Sequence, residues 1–300
     1  MLLSRLKYLV MDPPPLLVFE ITDRTVSGVR RNAKNFDVEA VSSRELPEGV
    51  LDPSPARPNV IKPDLLEQTI RSILDELGAV RRPDVALILP DSSARLTVLD
   101  FDQLPRDQKE RMRLIRWRLK KTVPFDADQA SIACQVWPAG GRVAALVAVT
   151  PPEVVRQYEA PFENAGLWPG FVSLSMAETL NLLPSGEMTL LAKRSGRSLS
   201  MAAVEKGIVK MVRWVELTPG QGGAADSWAD IAGDLYPTMM YVNDSLGVPV
   251  AKLVVCGFDL SAGEAERTPA EFGCGVERLR TPRGHASSQD AGIWGYLSVH

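Results

Sequence analysis

Histidine is almost missing from this sequence: His285 and His300 are the only two in 300 residues, and both lie close to the end. A histidine-built metal site or a histidine general base is therefore not expected. Cysteine is nearly as scarce. Cys134, Cys256 and Cys274 cannot all pair, and Cys134 and Cys256 fall inside apparent strands, so buried, reduced thiols of a cytosolic chain are expected. There is no G-x-x-x-x-G-K-[ST] phosphate loop, no Gly-x-Ser-x-Gly nucleophile turn and no Cys/His spacing of the zinc type. Long apolar runs are missing as well. The opening MLLSRLKYLVM is interrupted by Arg5 and Lys7, is too short to span a bilayer, and runs into Pro13-Pro14-Pro15 without a small-residue cleavage site. A short interfacial or partner-binding helix, or a frayed terminus, is expected there. Finally, there is no positive charge surplus: the formal net charge of −3 argues against a general nucleic-acid binder.

What is present is an ordinary globular composition, 45% hydrophobic and 24% charged, enough for one large or two modest domains. Three strand-like runs, Leu16–Ile21, Thr25–Arg31 and Phe36–Ser42, form a meander. A proline-rich loop follows, then a helix opened by Pro63 and closed by Gly78, with Leu66, Ile70, Ile73, Leu74 and Leu77 on one stripe, and then the strand Val85–Leu89. The order is βββαβ. The same order returns later: strands Met188–Lys193, Ser198–Glu205 and Ile208–Leu217, a helix carrying Ile231, Leu235, Met239, Val242 and Leu246, and the strand Ala251–Cys256. Between the meander and that helix, Gly220 to Ala225 fits a G-x-G-x-x-A dinucleotide form. The strand before it ends a meander instead of opening a βαβ unit, and Pro219 interrupts the turn, so a linker is expected. Two copies of a meander, helix and strand are the signature of an α/β, actin-like (ribonuclease-H-like) architecture with two lobes facing each other across a cleft.

Between the copies runs an inserted segment. It holds a turn at Pro90-Asp-Ser-Ser93, a strand Arg95–Phe101, a basic helix from about Asp107 to Val123 stopped by Pro124, a strand Ala130–Trp137, and a hairpin turn at Ala139-Gly140-Gly141 into Val143–Val149. Thr150-Pro-Pro-Glu153 and Ser175-Met-Ala-Glu178 both have the form of capping boxes, opening helices to Ala165 and Leu183 around a short strand Phe171–Leu174. The domains expected are an N-terminal segment 1–15, a first lobe 16–96 and 166–187, an insert 97–165, and a second, truncated lobe 188–300.

The ordered series of a strand ending in Leu-Pro-Asp-Ser, a strand closing on Leu-Pro, a charged helix, Val-Pro-Phe-Asp and a strand ending in an aromatic resembles the inserted subdomain of the PilM family. That family comprises actin-like proteins of type IV pilus assembly. The resemblance implies an ATP site in which each lobe offers an Asp-x-Gly hairpin. Here the first reads Glu20-Ile21-Thr22 and the second Lys193-Arg194-Ser195, and the adenosine turn, which carries paired glycines in the family, is Cys256-Gly257-Phe258-Asp259. Thr22 puts a branched side chain where a bare backbone is needed, and no carboxylate remains at the second hairpin. The base-closing subdomain is reduced to about eight residues after Leu217. A degenerate site (Glu20, Thr22, Ser195, Gly257) without cofactor or catalysis is expected, with ATP and Mg²⁺ binding as the competing expectation.

The resemblance further implies a cytoplasmic scaffold peripheral to the inner membrane, held there through its partners. It would dock the cytosolic N-terminal tail of a PilN-like bitopic protein between the first lobe and the insert, and meet other inner-membrane platform or motor components. Carried onto this chain, the tail groove would involve Pro90, Ser92, Arg113, Arg116, Trp117, Pro124 and Phe125. The basic helix also reads as a solvated face whose arginines cover apolar stems, or as a contact for anionic lipid or nucleic acid. The sequence is also compatible with an ATPase of the same fold, and with a GspL-like type II secretion component, which would be expected to continue into a membrane span.

Overall fold

The computed structural model describes residues 13–78, 80, 82–217, 228–258 and 272–300. Strands β1 (Leu17–Ile21), β2 (Thr25–Arg31), β3 (Val38–Glu45), β4 (Asp84–Leu89) and β8 (Trp168–Leu174) form a five-stranded sheet in the order β3-β2-β1-β4-β8. A second sheet repeats it from β9 (Thr189–Ser195), β10 (Ser198–Glu205), β11 (Ile208–Glu216), β12 (Lys252–Cys256) and β13 (Gly275–Arg278), in the order β11-β10-β9-β12-β13. In both, the first three strands are antiparallel and the fourth joins the first in parallel. The chain is thus a duplicated α/β protein with the actin-like, two-lobed fold.

Continuous apolar runs such as Val85–Leu89 suit the middle of such a sheet, because helices cover both faces. Helix α1 (Pro63–Leu77) places Leu66, Ile70, Ile73 and Leu77 on the first sheet, beside Val154, Tyr158 and Phe162 of α3 (Pro152–Asn164). The sequence grouped α3 with the insert. Its apolar face instead completes the first lobe's core, with Phe162 edge-on to Phe19 at 5.0 Å. The other face of that sheet is covered by α6 (Ala291–Val299), through Ile293 and Tyr296 against Val18, Ala86 and Ile88. The sequence left α6 unassigned within the second lobe; it crosses back to the first. In the second lobe α5 (Trp228–Leu246) brings Leu235, Met239 and Val242 to the sheet.

The insert is a three-stranded antiparallel sheet, β5 (Arg95–Phe101), β7 (Arg142–Thr150) and β6 (Ser131–Ala139), in the order β5-β7-β6. Helix α2 (Gln108–Leu119) lies on one of its faces, Ile115 and Leu119 packing on Leu99, Ala145 and Val147. Helix α2 ends four residues before Val123: Thr122 Oγ1 donates to the Leu119 carbonyl at 3.0 Å, and the residue preceding Pro124 is pushed out of helical geometry. Gly140 and Gly141, both at positive φ, close the β6–β7 hairpin as expected.

Neither expected capping box forms. Thr150 Oγ1 donates to the Ser93 carbonyl at 2.8 Å, and Ser175 turns its hydroxyl to Glu20. The helix expected to run from Ser175 to Leu183 is α4 (Ser175–Thr179) followed by a single 3₁₀ turn. Cys134, expected to be buried, is exposed on the edge strand β6, whereas Cys256 is buried. The linker expected at Gly220–Ala225 lies outside the described residues. Among the described residues no helix is long and apolar enough to cross a membrane.

Candidate functional site

Two places where separate sheets of the molecule meet gather chemistry: the cleft between the lobes, and a groove beside the insert. In the cleft, Glu20 on β1 and Lys193 on β9 stand toward the ends of corresponding strands. Glu20 pairs with Ser27 and Ile88, and Lys193 with Ser200 and Cys256. Lys193 donates from Nζ to Asp91 Oδ2 at 3.1 Å, with the two side chains 1% and 8% exposed. Asp91 Oδ1 in turn accepts from the backbone N–H of Met176 at 2.5 Å. Glu20 is completely buried, accepting from Ser175 Oγ and, at 2.9 Å, from the backbone N–H of Ile293. One cation on the second lobe is therefore enclosed by carboxylates of the first, and those carboxylates also hold the starts of α4 and α6.

Burial raises the Glu20 carboxyl to about 7, although Lys193, Ser175 and the Ile293 amide all pull the other way. For Lys193 burial opposes the charge, yet Asp91 and Glu20 outweigh it and hold the ammonium above its ordinary value. Removing a charge from water costs several kcal/mol, so such a cluster stands only when each charge is matched.

Tight backbone approaches crowd the cleft at Gly196 and press α6 onto its first-lobe wall at Gly292 and Gly295. A Cβ on Gly196 would sit 1.8 Å from Asp23 Oδ2, one on Gly292 3.0 Å from Glu20 Oε1, and one on Gly295 1.9 Å from the Glu178 carbonyl. Thr22 does more than crowd its turn: its Oγ1 accepts from the N–H of Arg24 at 3.2 Å and of Thr25 at 2.9 Å, so these turn amides are already engaged. Ser195 meets Asp23 at 3.5 Å. Gly257, at φ +77, comes so close to the Arg194 carbonyl that a Cβ would lie 2.3 Å from it. The structure thus brings Glu20, Thr22, Ser195 and Gly257 to the cleft. Asp91, Lys193, Ser175 and α6 join them, and sequence reasoning missed their part in it. Asp259 of the same turn lies outside the described residues.

The groove is open where the cleft is closed. It is a cavity of about 700 Å³ between the insert sheet, strand β8 with α3, and the β10–β11 hairpin of the second lobe. Strand alternation explains its apolar floor. Residues Leu99, Ala145 and Val147 face α2, so Leu96, Leu146 and Ala148 face the other way, into the groove. Along β6 all five residues from Ser131 to Gln135 line it, both parities together, so the groove follows the strand's free edge.

Of the residues expected at the tail groove, Pro90 and Ser92 sit in the turn between its lining residues Leu89 and Ser93. The others lie elsewhere, because α2 occupies the opposite face of the insert sheet. Arg113 is exposed there. Arg116 turns its guanidinium to the carbonyls of Ala127, Asp128 and Ala130, tying down the loop after the helix. Trp117 is exposed under Lys121 Nζ, 5.7 Å from the ring centre. Pro124 is exposed, and Phe125 packs into the helix's own cluster.

No protein-family model matches the sequence, and no curated protein is significantly similar to it. Solved structures do match in shape. In the PilM–PilN type IV pilus biogenesis complex, a chain 18% identical superimposes with a TM-score of 0.73, covering 96% of this chain and 97% of that one. A Bacteroides thetaiotaomicron protein with an actin-like ATPase fold, 9% identical, superimposes at 0.56 over 94% and 95% of the two chains. These likenesses agree with the topology above: the chain has an actin-like fold carried over almost its entire length.

Proposed function

We propose that this chain is a non-catalytic, actin-like docking component of a type IV pilus or related secretion machine. It captures the cytosolic tail of a PilN-like membrane protein in the groove between insert and first lobe. The observation that carries this reading is the groove itself, about 700 Å³ with an apolar floor and an open strand edge, in a chain whose shape is similar to one solved in a complex named for both PilM and PilN. The cleft supports the non-catalytic part. Its carboxylates are already engaged by Lys193, Ser175 and backbone amides, and the Thr22 hydroxyl occupies the first hairpin's amides. Held by such a tail, the protein would sit at the inner face of the membrane, within reach of other platform or motor components.

A pull-down by the full chain of the cytosolic tail of a candidate partner tests the reading. Ala133 is exposed on β6 and lines the groove; Ala133→Trp should abolish capture while leaving the melting temperature within about 2 °C. Capture that survives Ala133→Trp would remove the groove from the interface. A rise in melting temperature on adding Mg·ATP would show that nucleotide binding survives, and ATP turnover by the full chain would overturn the non-catalytic reading.

A further inference from the structure

The charge lining the groove is of one sign. Apart from His300, the acidic or basic side chains that line it are Glu159 and Glu178; no lysine or arginine does so among the described residues. Glu178 is 7% exposed and takes hydrogen bonds from Ser173 and, at 3.3 Å, from Asn181 Nδ2, with no ion pair among the described residues. Half-buried Glu159 has another carboxylate, Glu163, beside it; exposed Arg156 offsets this only in part and also reaches toward Glu153 at 3.9 Å. Burial holds both carboxyls above their ordinary range. A carboxylate removed from water without a cation is costly, and a ligand that supplies the cation recovers that cost.

We propose that the groove is selective for an apolar, extended segment bearing lysine or arginine, with Glu178 and Glu159 as the residues that read its positive charge. The inference rests on the docking role of the groove and adds what the groove accepts. Leu96, Leu146 and Ala148 take apolar side chains, and the β6 edge from Ser131 to Gln135 offers about 13 Å of unpaired backbone, enough for four or five extended residues. The cytosolic flanks of membrane spans carry the matching chemistry, because lysine and arginine are enriched there. The basic face of α2 has no part in this selection, since it lies behind the sheet.

The test is fluorescence anisotropy of the full chain with a labelled leucine- and isoleucine-rich peptide about ten residues long. The peptide is used in two forms, one with arginines and one with glutamates in their place. The arginine form should bind at least about tenfold tighter, and Glu178→Gln and Glu159→Gln should each narrow the gap about three- to tenfold, as should added salt. Equal binding of both forms, each lost in Ala133→Trp, would overturn the charge selection while leaving the groove as a docking site. Binding of neither form at ~1 mM peptide, or binding that Ala133→Trp leaves unchanged, would overturn the groove's docking role and the selection with it.

Discussion

The cleft and the groove both lie where separate parts of this chain meet, yet they are built oppositely. In the cleft, charges of the two lobes satisfy one another: Lys193 is enclosed with Asp91 and Glu20, and Glu20 is closed over by Ser175 and α6. In the groove, an apolar floor and an open strand edge meet two carboxylates, of which Glu178 has no ion pair among the described residues. A site whose polar groups are matched from within has little left to offer a ligand, whereas one with unmatched groups can gain by binding. On the proposed reading, recognition belongs to the groove beside the insert and the cleft between the lobes serves stability.

The largest expected effect breaks the cleft. Lys193→Met leaves Asp91 and Glu20 buried without their cation, and chemical denaturation should show a loss of about 3–5 kcal/mol. A loss under about 1 kcal/mol would mean the cluster is not what joins the lobes.

Next comes pH. The Glu20 carboxyl moves from 4.5 to about 7 on folding, so the folded state binds the proton more tightly. Its contribution is fully present below pH 4.5 and falls as pH rises to about 7, by on the order of 3 kcal/mol. Glu20→Gln cannot titrate, and its stability between pH 5 and 8 should lack that decline; parallel curves for the two proteins would show that Glu20 keeps its ordinary proton affinity.

A smaller effect sharpens the groove. Cys134 lines it and is the exposed cysteine among the three. Its alkylation rate should fall about tenfold when a tail peptide is bound near saturation, with Cys256, raised by burial to about 12, unreactive throughout. The smallest effect is expected at Arg113→Glu. Behind the insert sheet and exposed, it should change tail affinity by less than about twofold.

Much of the fold was legible because periodicity and punctuation are local. Strands β2, β5 and β10 begin and end where the strand-like runs of the sequence placed them, and the Pro63 and Gly78 bounds of α1 follow from residues with restricted or exceptional backbones. Helix α6 was not legible: Gly292 and Gly295 weaken its helical signal, and both are needed because the helix presses on Glu20 and on the Glu178 carbonyl. The two capping boxes misled for a related reason. Thr150 and Ser175 found better partners far along the chain, at Ser93 and Glu20.

Lys193 was visible in the sequence only as the loss of a carboxylate, since nothing in Leu191–Ser195 names Asp91 as its partner. The basic helix drew the expected partner surface toward Arg113 and Trp117 because charge is conspicuous in a sequence. A groove is made of strand edges and small apolar residues that carry no such mark.

By itself the sequence determined the duplicated βββαβ order, the insert and the altered hairpin residues, because each depends on spacing along the chain. Tertiary structure alone decided that Lys193 faces Asp91 and Glu20, that α3 and α6 belong to the first lobe, and that α2 stands behind the groove. Those outcomes depend on which faces meet across long stretches of chain, as with Asp91 and Lys193, 102 residues apart, and no local pattern encodes that meeting.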